Sequence, residues 1–502
     1  MSHLLLRCGM ALTPKQPHFV LVPLLAQGHM IPMIDMARIL AEKGVIVTLV
    51  STPLNASRFE QIIIRATKSG LPIQLLQIPF SCQKVGLPLG CESLDTLPSR
   101  NLLRKFYIAL DMLQEPLEQY LQNHTFPPTC IISDKCLSWT SKIANKFNIP
   151  RLVFHGMSCF SLLSSYNIKL HNAHLSCTFD SEPFVIPGLS QRIEISKAQL
   201  PGTLVALPDL DDFRHKMCEA EMSAYGVVVN SFEELEHGCA KEYEKALNKR
   251  VWCIGPVSLC NKDSLDKFER GNKSSIEENQ CLEWLNTMKP RSVIYVCLGS
   301  LCRLVTSQLI ELGLGLEASN KPFIWVVKNA GEKISGIKNW LEDENFEERI
   351  RGRGLVIKGW APQTLILSHP SVGGFLTHCG WNSTIEGVCS GLPMITWPLF
   401  AEQFLNEKFI VQVLKIGVRI GVEVPVRWGD EEKVGIMVKR SRIIEAIEMC
   451  MIGGEEGEKR RNRATDLGKM ARSAVVEEGS SHSNISCLIQ DIMKLDILNI
   501  EK

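Results

Sequence analysis

Residues 18–52 read HFVLVPLLAQGHMIPMIDMARILAEKGVIVTLVST, and this stretch decides the fold. HFVLVPLL is apolar without alternation, the pattern of a strand buried on both faces. AQGHM follows as a turn. Pro32 marks the expected helix start, because proline is tolerated in a first helical turn. Met33, Met36, Ala37 and Leu40 then recur at i, i+3, i+4 and i+7, the stripe of an amphipathic helix. Gly44 closes that helix, and VIVTLVST is a second buried strand. Strand, helix and strand in this order form a β-α-β unit, with parallel strands and a right-handed crossover.

The alternation continues outward. TCIISD reads as another buried strand, followed by the helical WTSKIANKF, and GVVVNSFEELE as a late strand of the same half. CNKDSLDKFERGNKSSIEENQ, over residues 260–280, is charged and lacks apolar periodicity, so it is expected to be a linker or surface loop. SVIYVCLGS, PFIWVVK, GLVIKGW, VGGFLTHCG and PMITWP are the strands of a second half, and SHSNISCLIQDIMKLDIL is a terminal helix. The predicted architecture is α/β, with two Rossmann-like doubly wound domains facing a cleft. Its boundaries are residues 1–255, a linker at 256–285, residues 286–480, and a C-terminal helix at 481–502 packing back on the first domain.

Composition narrows the function classes. The 502 residues are 45% apolar and 22% charged, as in soluble globular proteins. A net charge of +1 without a basic block argues against nucleic acid as a partner. No apolar run approaches the ~18 residues that suggest a transmembrane segment. MSHLLLRCGMAL is interrupted by Arg7 and lacks a signal-peptide layout, so it reads as a loose leader. The 18 cysteines are scattered, with no CxxC pair, and are expected as reduced core thiols. Five N-x-S/T sequons, such as those at Asn55 and Asn484, are then chance matches. These features predict a cytoplasmic protein, with monomer as the default.

The chemistry concentrates at strand ends. FLTHCGWNSTIEGV, from Phe375, gathers His378, Cys379, Gly380, Trp381, Asn382, Ser383 and Thr384 at a strand-to-helix corner. Such corners lie where open parallel sheets bind ligands, and a helix N-terminus suits phosphate. Ser383-Thr-Ile-Glu386 is equally a capping box, which stabilises a helix with no ligand. His378-Cys379 has no further ligands at zinc spacing. Trp360, before Ala361-Pro362-Gln363, can stack on a flat base or simply fill the core. Glu402 and Gln403, after PMITWPLFA, suit sugar hydroxyls or a solvated helix start. Two competing motifs are weaker. Gly313-x-Gly315-x-x-Ala318 resembles a dinucleotide fingerprint but falls inside a helical pattern. Asp209-Leu-Asp211 spells D-x-D, yet after Pro208 it reads as an acidic first helical turn.

From Trp360 to Gln403, WAPQTLILSHPSVGGFLTHCGWNSTIEGVCSGLPMITWPLFAEQ resembles the signature box of plant secondary-product UDP-sugar glycosyltransferases. AQGHMIPM, IISD, VVVNSFEELE, IGPVSL, CLEWL and YVCLGS extend the resemblance over nearly the whole chain. The most similar group acts on flavonols, triterpenoids, steroids and cytokinins. The resemblance implies a GT-B fold, inversion at the anomeric carbon and no metal. UDP-glucose is then a substrate and no cofactor is needed. The partners are that UDP-sugar and a small-molecule acceptor.

Carried onto this sequence, the resemblance puts Trp360 on uracil, Ala361 and Gln363 on uridine, and Glu386 on the ribose hydroxyls. His378, Asn382, Ser383 and Ser300 would hold the diphosphate, and Trp381, Glu402 and Gln403 the sugar. The final Gln403 implies a glucose donor. Glu402 stands where Asp is commoner, and Gly156 where some relatives carry a hydroxyl residue. Transfer to a hydroxyl also needs a base. His29, in AQGHM, is the candidate, because imidazole accepts a proton near neutrality. Asp134, ending TCIISD, can bond its second ring nitrogen, although such an Asp is also a common helix cap. The resemblance assigns His29 as base and Asp134 as its charge partner. The acceptor is expected near loops 80–105 and 155–205, with Met157, Phe160 and Phe400 as its walls.

Overall fold

The computed structural model of the chain describes residues 16–124, 128–205, 207–328 and 334–500. The segment read as a leader lies outside them. Two all-parallel sheets carry the structure. The first orders its strands β3-β2-β1-β4-β5-β8-β9. These are β1 (His18–Val22), β2 (Ile46–Ser51), β3 (Ile73–Gln77), β4 (Cys130–Asp134), β5 (Arg151–His155), β8 (Gly226–Val229) and β9 (Arg250–Cys253). A short antiparallel hairpin, β6 (Pro183–Val185) with β7 (Glu194–Ser196), interrupts the series.

The second sheet runs β12-β11-β10-β13-β14-β15. Its strands are β10 (Val293–Cys297), β11 (Phe323–Val327), β12 (Gly354–Lys358), β13 (Val372–Thr377), β14 (Met394–Thr396) and β15 (Gly417–Arg419). Together the sheets form the two-domain α/β architecture called GT-B. Among the described residues no helix is long and apolar enough to cross a membrane.

Each sheet reverses its winding once. The chain leaves β1 toward β2 on one side, and β4 leads to β5 on the other. The crevice at the carboxyl ends of β1 and β4 is therefore a topological switch point, where loops part and a ligand can enter. β10 and β13 form the equivalent crevice in the second sheet. β1, β4 and β13 are buried at every position, which explains why their polar residues are confined to the strand ends.

The helix after β1 begins at Gln27, before the expected start at Pro32. Pro32 lies inside it and has no N–H to give the Gly28 carbonyl four residues back. Asn382 Nδ2, from the second half of the chain, donates to that carbonyl instead, at 2.6 Å. The proline is tolerated because a tertiary hydrogen bond replaces the helical one.

The halves share packing as well as polar bonds. One apolar cluster joins Phe160 and Phe232 of the first half to Tyr295, Phe375 and Trp381 of the second. Ile485, Leu488 and Ile492 of the C-terminal helix enter the core under the first sheet. The 260–280 segment departs from its reading as a surface loop, since Asn261, Asp266 and Arg270 within it are buried. Its charges pair with helices of the first half, so a sequence without apolar periodicity is still packed.

The two weaker motifs also find their places. Gly313 and Gly315 lie in the Thr306–Ala318 helix, where added Cβ atoms would meet Trp325, Trp340 and Ile443. These glycines serve helix packing. Asp211 opens the Asp211–Ser223 helix, and Arg100 holds Asp209 at 3.0 Å. The described cysteines are free thiols; Cys218 and Cys487 are exposed, and the others lie within or at the edge of the core.

Candidate active site

His29 and Asp134 meet at the first switch point. Asp134 is the last residue of β4, and His29 sits in the first turn of the helix that follows β1. His29 Nδ1 lies 2.5 Å from Asp134 Oδ2. The other carboxylate oxygen, Oδ1, accepts from the Cys136 N–H at 2.9 Å. The Asp134 side chain is 3% exposed, whereas His29 is 37% exposed and keeps Nε2 free of this bond. Burial lowers the His29 pKa, but the charge and hydrogen bond of Asp134, helped by the charge of Glu402, raise it above the ordinary histidine value. Burial opposes ionisation of Asp134, yet His29 holds its carboxyl below the usual range. When Nδ1–H donates to Asp134, the neutral imidazole leaves the Nε2 lone pair open to accept a proton.

The second switch point lies across the cleft. The Trp381–Cys389 helix begins with Gly380 as its N-cap, and among the described residues no side chain caps it. Ser383 is thus inside the helix, and the capping-box expectation fails at this corner. The first N–H groups of that helix stand outside its hydrogen-bond ladder, as an anion site needs. The Glu402 carboxyl lies near this helix start, and Asn406 Nδ2 donates to its Oε1 at 3.4 Å. Burial raises the Glu402 pKa, against the nearby backbone N–H groups and His29, which lower it.

His378 fits between two glycines. A Cβ on Gly299 would lie 2.5 Å from His378 Nε2, and one on Gly380 would lie 2.3 Å from it. Gly299 has φ +82°, a conformation glycine adopts without strain. The imidazole therefore packs against the Gly299 backbone and the helix start together. Burial pushes its pKa down to about 4, so it is neutral at physiological pH. Its Nδ1 is buried with no hydrogen-bond partner among the described residues.

The nucleotide side is built from Trp360, Gln363 and Glu386. Trp360 is half-buried, and its main-chain N–H donates to Ser275 Oγ at 2.9 Å. Ala361 is buried beside it. Gln363 Nε2 donates to Glu386 Oε2 at 2.7 Å and to Ser383 Oγ at 3.1 Å. Glu386 Oε1 accepts from Arg270 at 2.5 Å. One hydrogen-bonded group thus contains three of the expected uridine and phosphate residues.

Several of the expected site residues are engaged in contacts within the protein. The Trp381 indole is not in the open cleft. It is 2% exposed, and its Nε1 donates to the Asn230 carbonyl at 2.7 Å, which fastens the halves. The Asn382 carboxamide is engaged by Gly28 rather than held in reserve for a ligand. Gln403 is buried, and its Oε1 accepts from the N–H groups of Leu399 and Phe400, bracing the loop before it. Phe160 is no open wall. It stacks on Phe409 at 5.0 Å and is 3% exposed. Met157 and Phe400 are half-buried and border separate clusters.

Asn230, Arg270 and Asn406 were missed. Asn406 donates to the Cys379 carbonyl at 2.8 Å and accepts from Ser161 Oγ at 2.8 Å. Nothing in a local pattern marks an amide or guanidinium that bonds a residue far along the chain. Pro32 within an apolar helical stripe was the one available signal.

Known proteins resemble this chain in sequence and fold. Residues 267–423 match the family described as UDP-glucoronosyl and UDP-glucosyl transferase. The chain is 58% identical over 493 residues to UDP-glycosyltransferase 73D1 of Arabidopsis thaliana, covering 96% of this chain and 97% of that one. It is 52% identical over 480 residues to UDP-glycosyltransferase 73C5 of the same plant, covering 95% and 97%. Among solved structures, Glycyrrhiza uralensis UGT73P12 with glycyrrhetinic acid 3-O-monoglucuronide superposes with a TM-score of 0.90 at 37% identity. That match covers 97% of this chain and 98% of the other. Arabidopsis thaliana UGT89C1 with UDP-L-rhamnose gives 0.72 at 30% identity, covering 96% and 100%. Near-full-length identity at this level, on the same two-sheet fold, makes the chain a member of the plant family 1 UDP-glycosyltransferases, enzymes that transfer a glycosyl group to small molecules.

Proposed function

We propose that this enzyme transfers glucose from UDP-glucose, with inversion, to a hydroxyl of a mostly apolar small molecule. The observation that carries the reading is the His29–Asp134 pair, with Nε2 available at one switch point and Glu402 and a helix N-terminus near it from the other. In this reading Nε2 accepts the acceptor O–H proton as the oxygen attacks the anomeric carbon. The bond to the phosphate oxygen breaks, and UDP leaves with its electron pair. Asp134 stabilises the imidazolium that forms. The Trp381–Cys389 helix start, neutral His378 and Ser300 receive the developing charge on the diphosphate. A single displacement with base and leaving group on opposite faces of the sugar inverts its configuration.

Residues 1–255 would take the acceptor and residues 286–480 the donor, with Trp360 on the base and Glu386 on the ribose. We favour glucose on Gln403 and an acceptor of flavonoid, triterpenoid, steroid or cytokinin type. Solved relatives are complexed with glycyrrhetinic acid 3-O-monoglucuronide, quercetin and UDP-L-rhamnose, so other donors are the competing reading. Free thiols suit a reducing cytoplasmic compartment, and a monomer satisfies the reading. The test is mass spectrometry of products from the pure protein, EDTA, UDP-glucose and a mixed acceptor panel. A hexose mass gain is expected with the chelator present. A gain only with UDP-galactose, UDP-xylose or UDP-glucuronate would overturn the donor assignment.

A further inference from the structure

We infer that Arg270 is a positioning residue for nucleotide recognition, holding the Glu386 carboxylate and tying it to the helix that carries His29. This rests on the reading of Glu386 as the ribose-binding group. The Arg270 side chain is 8% exposed, and its partners Asp35 and Glu386 are 3% and 5% exposed. Its Nε and one terminal nitrogen each lie 2.8 Å from Asp35 Oδ2, and its other terminal nitrogen donates to Glu386 Oε1 at 2.5 Å. Asp35 lies in the Gln27–Glu42 helix and Glu386 in the Trp381–Cys389 helix. A single guanidinium therefore joins the helix of the base to the helix of the donor site.

The fork is itself anchored. Asn261 donates to Asp35 Oδ1 at 2.9 Å and accepts from Arg38 at 2.7 Å. Arg38 pairs with Asp266 at 2.5 Å, and Arg65 pairs with Asp266 at 2.9 Å and with Glu269. Beside Arg270, the Gly271 backbone has φ +101° and runs against Trp360 so closely that a Cβ would lie 2.4 Å from the ring. The segment thus touches both the base platform and the ribose carboxylate. Each carboxylate oxygen has two lone pairs, so Glu386 can accept from Arg270 and Gln363 and still receive ribose hydroxyls. Arg270 orients those remaining lone pairs without competing for them.

Arg270→Lys keeps the positive charge but loses the planar fork. Calorimetry would compare UDP with 2′,3′-dideoxy-UDP on the full chain. Wild-type enzyme should prefer UDP by about tenfold or more, the scale of a hydrogen bond to a charged group. Arg270→Lys should weaken UDP by about tenfold while leaving dideoxy-UDP within about twofold, so the preference collapses. Asp35→Asn releases the other end of the fork and should reduce the preference by about threefold, even if Arg270→Lys does not fold. Equal weakening of both ligands, or no change in either, would show Arg270 to be structural only and overturn the inference. Glu386→Ala separates the two readings. Loss of the preference there, with wild-type preference in Arg270→Lys, sinks the inference alone. Retention in Glu386→Ala sinks the ribose assignment and the inference together.

Discussion

Replacing Asp134 by Asn removes one charge from the centre of the proposed mechanism and changes little else in shape. Its Oδ1 is committed to the Cys136 N–H, so the new amide nitrogen faces His29 Nδ1. Two donors cannot share that contact. The imidazole then moves its proton to Nε2, the nitrogen that must accept one. The electrostatic loss alone follows from the geometry. A hydrogen bond to a charged group is worth about 1.5–3 kcal/mol. Two unit charges at 4 Å with an effective dielectric of 20 give about 4 kcal/mol as an upper figure. His29 is 37% exposed, so solvent screens part of this, and about 2–3 kcal/mol is the working value. That predicts a fall in kcat of about 30–150-fold, and tautomer reversal can deepen it toward about 10⁴-fold.

The assay is kcat and kcat/KM against pH with a saturating acceptor. Asp134 raises the His29 pKa, so the wild-type acidic limb lies above the ordinary histidine value and should move to lower pH in Asp134→Asn. Stability has a definite sign too. A histidine pKa raised by folding contributes stability fully present below about 6.5, and this is lost as pH rises through the raised value. Asp134→Asn should lack that loss. A kcat within about threefold of wild type, with an unmoved acidic limb, would refute the pair as base and charge partner.

His29→Ala should abolish transfer while UDP affinity by calorimetry stays within about twofold, because the ring bonds Asp134 and not the donor side. Unchanged turnover would remove His29 from the mechanism. Asn382→Ala removes the donor to the Gly28 carbonyl that Pro32 already left without its helical N–H; Gly28 is exposed, so water takes over part of the bond, and thermal melts should show a loss of about 0.5–1.5 kcal/mol. Pro32→Ala restores an N–H within the helix, so it should recover part of that loss in the double variant; additive effects of the two changes would argue against this coupling.

Most of the architecture was legible because buried parallel strands leave an unbroken apolar record. HFVLV, CIISD and VGGFLT announce themselves without any partner. RLVFH, the strand Arg151–His155, did not, since Arg151 and His155 enclose only three apolar residues. Its burial depends on polar neighbours: Arg151 bonds Ser133, Thr140 and the Ala220 carbonyl, and His155 bonds Glu221. The start of the first helix was misplaced for a related reason. Local rules put proline in a first turn, and only a hydrogen bond from Asn382 permits it further in.

The candidate site divides along the same line. The residue types at the strand ends, a histidine after β1, an aspartate ending β4 and the His378–Glu386 corner after β13, are fixed by the sequence, because strand order and crossover rules place those ends at the crevices. Whether Ser383 caps the helix was not a local matter. It turned on the helix starting at Trp381 with an uncapped Gly380. The fates of Trp381, Asn382, Phe160 and Arg270 belonged to tertiary structure alone. Each is bound by a group remote in the chain: Asn230, Gly28, Phe409, and the pair Asp35 and Glu386. A periodic pattern reports which face of a segment is buried. It carries no information about which distant donor or acceptor will meet that face, and that is decided when the two sheets close on one another.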